Sequence, residues 1–361
     1  MLTARVAIVG GGLSGLYAAA LLEERGIRDY VLLEARDAPG GRILSLPSRP
    51  GHDRYDLGAT WFWPALQPDL ERMVQALGLE TFEQYEDGDM LLEQSRSHAP
   101  HRVDGYRSAP AALRVAGGME ALIDALRQRL AADRLVTGRV VRGLRHVGEC
   151  IEVEADDGLG HPLSCRAAQV LLAVPPRLAA STIEFTPALP DALALKWQGC
   201  ATWMAPHAKY LAVFDRPFWR DQGLSGEARS AVGPMAEIHD ASAPGGHGAL
   251  FGFLGVPAAV RHGIPEADLL AHCRAQLVRL FGEGAQSPRA EFLKDWAADS
   301  HVAVAADLNP GEHQDVGLPS MARSGAWSGQ LVGIASEWSP EFPGYVAGAV
   351  DAARRGVEAV Q

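Results

Sequence analysis

Cysteine is scarce in this chain of 361 residues, and its positions argue against metal or disulfide chemistry. The four cysteines lie far apart and none belongs to a C-x-x-C pair; they are Cys150, Cys165, Cys200 and Cys273. Such spacing provides neither a zinc signature nor a disulfide framework. A reducing compartment therefore fits best, and we expect no metal site.

The chain also lacks an excess of positive charge and a long apolar run, and we expect no N-terminal leader. Lysine and arginine number 33 against 44 aspartates and glutamates, for a formal net charge of -11. This balance argues against nucleic acid or anionic lipid as the main partner and mildly favours a cationic substrate. No stretch stays apolar for the ~20 residues that cross a bilayer, and the first residues, MLTARVAIVGGG, enter a nucleotide-binding pattern at once. We therefore expect a cytoplasmic protein without a membrane anchor.

The length and the 47% hydrophobic content predict about two domains with substantial cores. The chain opens with a β-α-β unit, because an apolar strand over 4–9 precedes a glycine turn, a helix and a second apolar strand, DYVLLEAR. The intervening helix makes the two strands parallel. Later patterns predict strands over 209–214, 235–240 and 249–255 and a helix over 266–281.

A dinucleotide motif occupies the first turn. Gly10, Gly12 and Gly15 form G-x-G-x-x-G between strand and helix, where glycines permit close approach of the backbone to a pyrophosphate at the helix N-terminus. Glu34 ends the second strand 19 residues after Gly15, where an acid accepts hydrogen bonds from ribose hydroxyls and disfavours the 2′-phosphate of NADP. These residues leave NAD and FAD as alternatives.

Further glycine-bearing segments indicate a cofactor that extends beyond its pyrophosphate. LEARDAPGGR follows the second strand, and YDLGATWFWP comes after it. Together with RVAGGMEAL, VLLAVPP, AKYLAVFDRPFWR, LKDWA and FPGYVAGAVDAARRG, these blocks resemble the flavin-containing monoamine oxidase family over most of the chain. The blocks are specific for the family and much less specific for a substrate.

The resemblance implies an α/β fold, in which a Rossmann-like FAD-binding domain of the glutathione reductase type is interleaved with an α+β substrate domain of mixed or antiparallel sheet. It also implies FAD held without a covalent bond, since the segment 296–311 has no cysteine. A helix N-terminus near the end of the chain would stabilise negative charge on the reduced flavin. The residues that match the family's cofactor-binding positions are Gly10, Gly12, Leu13, Ser14, Gly15, Glu34, Ala35, Arg36, Gly40, Gly41, Arg42, Gly58, Ala59, Thr60, Trp61, Val141, Trp296, Ser336, Glu337, Tyr345 and Val346.

Two residues match catalytic positions of the family. Lys209 stands eight residues before Pro217 of PFWR, the position of the lysine that is linked through water to flavin N5. Without the resemblance, a lysine at the start of a strand would be expected to face water. Tyr345 matches one wall of the aromatic pair that encloses the substrate amine. The second wall has no obvious aromatic candidate, because 296–311 offers only His301, which is a pocket residue or an incidental loop histidine.

The remaining predicted pocket residues each have a structural alternative. Trp61, which follows the flavin turn, and Phe253 line either the pocket or the core. Glu237 and His239 alternate onto one face of a strand, either as a solvated edge or as a polar pocket. In the polar pocket, Glu237 would hold a second cationic group, as in a diamine, a polyamine or an amino-alcohol.

The resemblance also sets expectations for the architecture. Residues 82–113 form a segment much shorter than in long family members, which predicts a compact and more open site, and 91–110, rich in Ser, His and Pro, is predicted to be the most mobile loop. The membrane-anchoring tail of some relatives has no counterpart before Gln361, and a homodimer is possible. The predicted FAD-binding domain comprises 1–81, 114–197 and 299–361, and the predicted substrate domain comprises 82–113 and 198–298.

The expected reaction is oxidation of a small amine to an imine, which hydrolyses to an aldehyde or ketone plus ammonia, with dioxygen reduced to hydrogen peroxide. Two alternatives stay open. One is a flavin dehydrogenase or desaturase that uses the same sequence blocks on another substrate or acceptor. The other is a flavin-binding subunit without catalytic activity.

Overall fold

The structure, a computed structural model, describes residues 2–47, 53–308 and 317–360. The strands are β1 (Leu2–Val9), β2 (Tyr30–Leu33), β3 (Ser45–Pro47), β4 (Arg54–Asp56), β5 (Thr81–Glu83), β6 (Asp89–Glu93), β7 (His101–Val103), β8 (Leu113–Val115), β9 (Leu135–Val136), β10 (Val140–Val147), β11 (Cys150–Asp156), β12 (Pro162–Leu172), β13 (Glu184–Thr186), β14 (Ala208–Phe214), β15 (Leu224–Ser230), β16 (Met235–Asp240), β17 (Gly248–Leu254), β18 (Ala290–Asp295) and β19 (Leu331–Gly333). The helices are α1 (Leu13–Glu24), α2 (Pro68–Ala76), α3 (Glu120–Arg129), α4 (Pro176–Thr182), α5 (Asp191–Gly199), α6 (Ala258–Arg261), α7 (Glu266–Phe281) and α8 (Val346–Glu358). Short 3₁₀ turns cover Ala132–Arg134, Arg220–Gln222, Glu283–Ala285, Trp296–Ala298, Ala305–Asp307 and Ser336–Trp338.

The first sheet has the order β13-β10-β11-β12-β1-β2-β9, and β19 also pairs with β12. Strand β1 pairs in parallel with both β2 and β12, so the predicted β-α-β unit is confirmed. Its side chains are buried on both faces: Ile8 packs in the cluster that contains α1, α3 and α8, whereas Val9 packs in the cluster on the opposite face. A strand that is covered on both faces reads as a continuous apolar run, which is the pattern of residues 4–9.

The second sheet has the order β18-β14-β17-β16-β15-β6-β7. Its neighbours are antiparallel except for β15 and β6, which run parallel. Alternate residues of β14 divide between its faces. Tyr210 and Ala212 pack with α7 residues such as Leu277, whereas Leu211 and Val213 belong to a cluster on the other face.

The prediction of a single loop over 91–110 was wrong in part. Residues 91–93 belong to β6, and His101–Val103 form β7, which pairs antiparallel with β6 at the edge of the second sheet. The parallel pairing of β6 with β15 joins residues more than 130 positions apart, for example Leu91 with Ala228. The local amino-acid composition does not reveal this pairing, because the hydrogen bonds come from a distant segment of the chain.

The predicted α/β class is confirmed, and both sheets are mixed. All strands of the second sheet come from the two segments assigned to the substrate domain, so the sheets support the predicted domain division, which stays a prediction. In the described parts of the chain, every helix is too short or too polar to cross a bilayer.

Candidate active site

A row of side chains crosses one face of the second sheet. Lys209 on β14 lies opposite Phe253 on β17, and Phe253 lies opposite Glu237 on β16. Glu237 in turn lies opposite Arg229 on β15. Directly paired residues of antiparallel strands point to the same face, so the register places three predicted site residues side by side.

Lys209 is 1% exposed, and its ammonium group lies among polar and aromatic partners. Nζ donates to Thr60 Oγ1 at 2.5 Å and to the Gly58 carbonyl oxygen at 3.3 Å. It also lies 3.8 Å from the centre of the Phe251 ring and 5.5 Å from that of Phe253. Burial lowers the pKa of Lys209 from 10.5 to about 7, because removal from water penalises the charged form. A lysine that faces water is thereby excluded, and this one can be either an amine or an ammonium near neutral pH.

One cavity of about 890 Å³ joins this lysine to the dinucleotide motif. Its lining includes most of the residues predicted from the sequence. From the cofactor set it contains Gly10, Gly12, Leu13, Ser14, Glu34, Ala35, Arg36, Gly40, Gly41, Arg42, Gly58, Ala59, Thr60, Trp61, Val141, Trp296, Ser336, Tyr345 and Val346, and from the reaction set Lys209, Glu237, Phe253 and His301.

The glycine-rich part of the cavity fits a dinucleotide. A β-bridge joins Gly12 to Gly40, and a Cβ at Gly12 would have no neighbour closer than 3.7 Å, so the space before the helix N-terminus is open. A Cβ at Gly15, by contrast, would lie 2.0 Å from the carbonyl oxygen of Gly10. Gly15 is not in the cavity lining, and its role is the close packing of α1 against β1, as the third glycine of such motifs requires.

Glu34 and Arg42 organise the loops around this space. The Glu34 carboxylate is 4% exposed and accepts hydrogen bonds from the backbone N–H groups of Gly11 at 2.6 Å and Arg36 at 2.8 Å. Arg42 forms a bidentate pair with Glu337, at 2.6 and 2.9 Å. Glu337 is not part of the cavity lining, so the structure places it behind Arg42 and not at the cavity surface.

The other end of the cavity is lined by the start of α8 and by the segment that precedes Trp61. Helix α8 begins at Val346, which lines the cavity, so the first N–H groups of this helix lie at the cavity wall. A helix N-terminus favours negative charge. Trp296 also lines this end and donates from Nε1 to the Leu57 carbonyl oxygen at 3.0 Å. This end therefore offers a buried cation, a helix N-terminus and aromatic surface.

A tryptophan that the sequence analysis did not select faces Tyr345. The Trp203 and Tyr345 rings are near-parallel, with an angle of 29° and centres 6.4 Å apart, and both line the cavity. Two unusual backbone positions support the arrangement: Met204 has a φ of 62°, and a Cβ at Gly344 would lie 2.6 Å from the Cβ of Trp203. The signal in the sequence was a tryptophan six residues before Lys209, on the segment that leads into β14.

Glu237 and His239 lie close together, but only Glu237 lines the cavity. The Glu237 carboxylate contacts His239 Nε2 at 2.6 Å and forms an ion pair with Arg229. His239 packs edge-on against Trp61, with ring centres 4.9 Å apart. The carboxylate of Glu237 is thus already paired with a cation of its own sheet.

The segment expected to carry the second aromatic wall offers only His301, as either a pocket residue or an incidental loop histidine. His301 lines the cavity and is half-buried. Of the segment 296–311 in which that wall was sought, residues 309–311 lie outside the described part of the chain. Trp203 comes from a different segment, 93 positions before the start of 296–311, and this separation is why a search confined to 296–311 did not find it.

A parallel β-α-β unit with an open glycine turn, connected through one cavity to a buried lysine and an aromatic pair, defines a nucleotide-dependent oxidoreductase. The family model for flavin containing amine oxidoreductases matches residues 89–361, and a model for NAD(P)-binding Rossmann-like domains matches 8–77. The chain therefore belongs to the flavin-containing amine oxidoreductases, which confirms the resemblance stated from the sequence, the flavin cofactor class and the assignment as an enzyme that oxidises amines.

Individual relatives agree with this assignment. The chain is 26% identical to putrescine oxidase of Kocuria rosea over 85% of each chain. It is 45% identical to human flavin-containing amine oxidase B over a stretch that covers 21% of this chain and 14% of the human one. Among solved structures it is similar in fold to wild-type putrescine oxidase bound to putrescine (TM-score 0.80, 22% identity, 99% and 98% of the two chains) and to cyclohexylamine oxidase from Brevibacterium oxydans (TM-score 0.82, 17% identity, 99% and 98%).

Proposed function

We propose that this protein is an FAD-dependent amine oxidase that holds its cofactor without a covalent bond. The observation on which the proposal rests is the single cavity that joins the glycine-rich surface to Lys209. Glu34 would meet the adenosine ribose, and Arg36 and Arg42 would lie beside the diphosphate and ribityl region. Among the described residues, no cysteine lines the cavity, which supports a cofactor held without a thioether bond. FAD, when bound, supplies the two-electron acceptor that takes a hydride from the carbon next to the amine nitrogen.

Trp203 and Tyr345 would bind the amine. Aromatic faces attract a polarised or cationic nitrogen, and two near-parallel rings with centres 6.4 Å apart present such faces at the cavity surface. Tyr345 is 38% exposed, which supports a position of this pair on the path of a substrate from solvent. Phe253 and Trp61 add apolar surface further along the cavity, where a neutral amine is favoured over an ammonium.

The overall reaction balances with dioxygen as the final acceptor. The amine loses two electrons and two protons and becomes an imine, and dioxygen gains them and becomes hydrogen peroxide. Water then hydrolyses the imine to an aldehyde or ketone and ammonia. Lys209 would contribute positive potential beside the site of oxygen reduction, since an oriented charge acts strongly in a dry site.

The pairing of Glu237 bears on the substrate class. An ammonium at the far end of a diamine would need an unshared carboxylate, whereas Glu237 is already bound to Arg229 and His239. We therefore propose a monoamine with an apolar substituent. Because the chain is similar to putrescine oxidase, diamines belong in the same substrate panel.

An anaerobic titration tests the function. Purified protein with bound FAD is mixed without oxygen with monoamines, diamines and amino-alcohols, and the flavin absorbance is followed. The proposal predicts bleaching by at least one amine and, after air is admitted, rapid recovery with one hydrogen peroxide per flavin reduced. Bleaching with slow recovery in air would identify a dehydrogenase, and bound flavin that no amine bleaches would identify a flavin-binding subunit.

A further inference from the structure

Five side chains of alternating charge extend from the buried lysine towards the surface. They are Lys209, Asp56, Arg114, Asp240 and Arg220, which interact electrostatically in that order. The first four are each 3% exposed or less, whereas the side chain of Arg220 is 26% exposed. Buried charges are rare unless they are paired. We call this set the charge chain.

Direct contacts fix each member of the charge chain. Asp56 Oδ1 accepts from Ser45 Oγ at 2.6 Å and from the Met119 N–H at 2.8 Å. Lys209 is bonded to Gly58 and Thr60, two and four residues after Asp56 on the same segment. These hydrogen bonds fix the position of the Asp56 carboxylate and join Lys209 to the segment that carries Asp56.

The other half of the charge chain is held equally firmly. Arg114 donates to the carbonyl oxygens of Ala241 and Ser242, at 3.0 and 3.1 Å, immediately after Asp240. Asp240 Oδ2 accepts from Trp219 Nε1 at 2.8 Å and forms an ion pair with Arg220 at 2.9 Å. Asp240 is thus shared between Arg220 and Arg114, and Asp56 is the other carboxylate that acts on Arg114.

We propose that Asp56 and Arg114 act together as a buried pair that controls whether Lys209 is an ammonium or an amine. The inference rests on the proposed function in one respect only, namely that the charge of Lys209 matters for oxygen reduction. Asp56 Oδ2 has no hydrogen-bond donor among the described residues. Burial raises the pKa of Asp56, and the positive charges of Arg114 and Lys209 act against that rise. Without the carboxylate, Arg114 would oppose the charge of Lys209.

The other charged groups near these residues are engaged elsewhere. Lys294 lies opposite Lys209 on β18 and is bound to Asp299 at 2.6 Å. Glu237, two strands away, is bound to Arg229 and His239. Glu120 interacts with Asp56 but accepts a hydrogen bond from the Ser45 N–H at 3.1 Å and does not act on Lys209. Burial raises the pKa of the Tyr55 phenol to about 12, so this group is uncharged near neutral pH.

The chain offers a direct measurement, because it contains only three lysines, Lys196, Lys209 and Lys294. Protein loaded with FAD and labelled with ¹³C at lysine Cε would give three NMR signals whose shifts report each ionisation, and Lys209→Met assigns the signal of interest. We expect Lys209 to titrate near pH 7.

Three variants test the proposal by the direction in which each shifts the midpoint of the Lys209 titration. Asp56→Asn keeps an oxygen that accepts from Ser45 and Met119. We expect it to lower the midpoint pH of the Lys209 titration by about one unit or more. Arg114→Gln should raise it, and Glu120→Gln, the matched carboxylate control, should leave it unchanged. In each variant, the midpoint pH of flavin reoxidation in air should move in the same direction as the Lys209 titration. Asp56→Glu retains a carboxylate and should keep the midpoint of the Lys209 titration near that of the wild type.

An unchanged Lys209 titration in Asp56→Asn, or shifts of the same sign in Asp56→Asn and Arg114→Gln, would overturn the proposal. If Asp56→Asn does not fold, Arg114→Gln decides alone: an upward shift supports the pair, and any other result rejects it. The NMR titration needs no substrate. Failure of the proposed function, with no amine bleaching the flavin, is therefore distinguishable from failure of this inference.

Discussion

The Nζ atom of Lys209 lies 2.5 Å from Oγ1 of Thr60, although the two residues are 149 positions apart. This hydrogen bond joins β14 of the second sheet to the segment that borders the dinucleotide-binding part of the cavity. The lysine is therefore held against the segment of Gly58 and Thr60, at the cavity wall where a cofactor and a substrate would meet.

Replacement of Lys209 by methionine removes the buried cation and keeps a side chain of similar length. We expect reduction of the flavin by amine to change less than threefold and reoxidation in air to slow by roughly tenfold or more, because the positive potential beside oxygen is lost. Stopped-flow absorbance separates the two half-reactions. Lys196→Met, at an exposed site, is the control and should match the wild type. Equal reoxidation rates in both variants would remove Lys209 from the oxidative step.

The same replacement should stabilise the fold in a pH-dependent way. Lys209 has a pKa of about 7 when folded against 10.5 when exposed, so between these values the unfolded chain binds more protons and stability rises with pH. The penalty of the buried ammonium is complete below pH 7 and absent above 10.5. Lys209→Met should thus gain about 4 kcal/mol more at pH 6 than at pH 10. Urea unfolding at the two values measures this difference, and a pH-independent gain would contradict the assigned ionisation.

The Trp203–Tyr345 pair makes a prediction about substrate affinity. Gly344→Ala would place a Cβ 2.6 Å from the Cβ of Trp203 at a φ of +84°, which must displace the tryptophan or strain the turn. We expect KM for amines to rise by roughly tenfold with flavin binding retained, and Trp203→Ala to behave similarly. Trp203→Phe keeps an aromatic face and should recover most of the loss. Unchanged KM in Trp203→Ala would exclude this residue from the substrate site.

Two glycines of the cofactor motif should respond differently to alanine. At Gly12 the new methyl group has room within the protein but enters the open side of the cavity, so we expect flavin affinity to fall by about tenfold with stability preserved. At Gly15 the methyl group would lie 2.0 Å from the Gly10 carbonyl, so we expect loss of stability as well. Flavin titration and thermal unfolding of the two variants compare these effects. Equal destabilisation by both changes would argue against an open space beside Gly12.

The role of Glu237 is tested by the ratio of rates for monoamines and diamines. Since its carboxylate is paired with Arg229 and His239, we expect Glu237→Gln to leave this ratio within about twofold of the wild type. Steady-state kinetics with butylamine and 1,4-diaminobutane provide the comparison. A selective loss of diamine oxidation would instead establish Glu237 as the partner of a second ammonium.

The sequence by itself determined the dinucleotide-binding end of the site. Gly10, Gly12 and Glu34 are close in the chain, and their spacing is dictated by one strand, one turn and one helix, so local geometry suffices to predict that they meet. The family spacing of Lys209 and Pro217 likewise predicted a role for the lysine without any knowledge of its neighbours, and that role stays a prediction.

Only the tertiary structure decided the remainder. The pairing of Trp203 with Tyr345, the ion pair of Glu237 with Arg229 and the charge chain behind Lys209 each join segments whose contact depends on sheet register and loop packing. Such contacts leave no periodic signal in the sequence, because a residue that meets a distant partner is locally indistinguishable from one that faces water. The burial of Lys209 shows the difference: its position in the sequence indicated a role, and the fold alone brought Asp56 and Arg114 to the lysine.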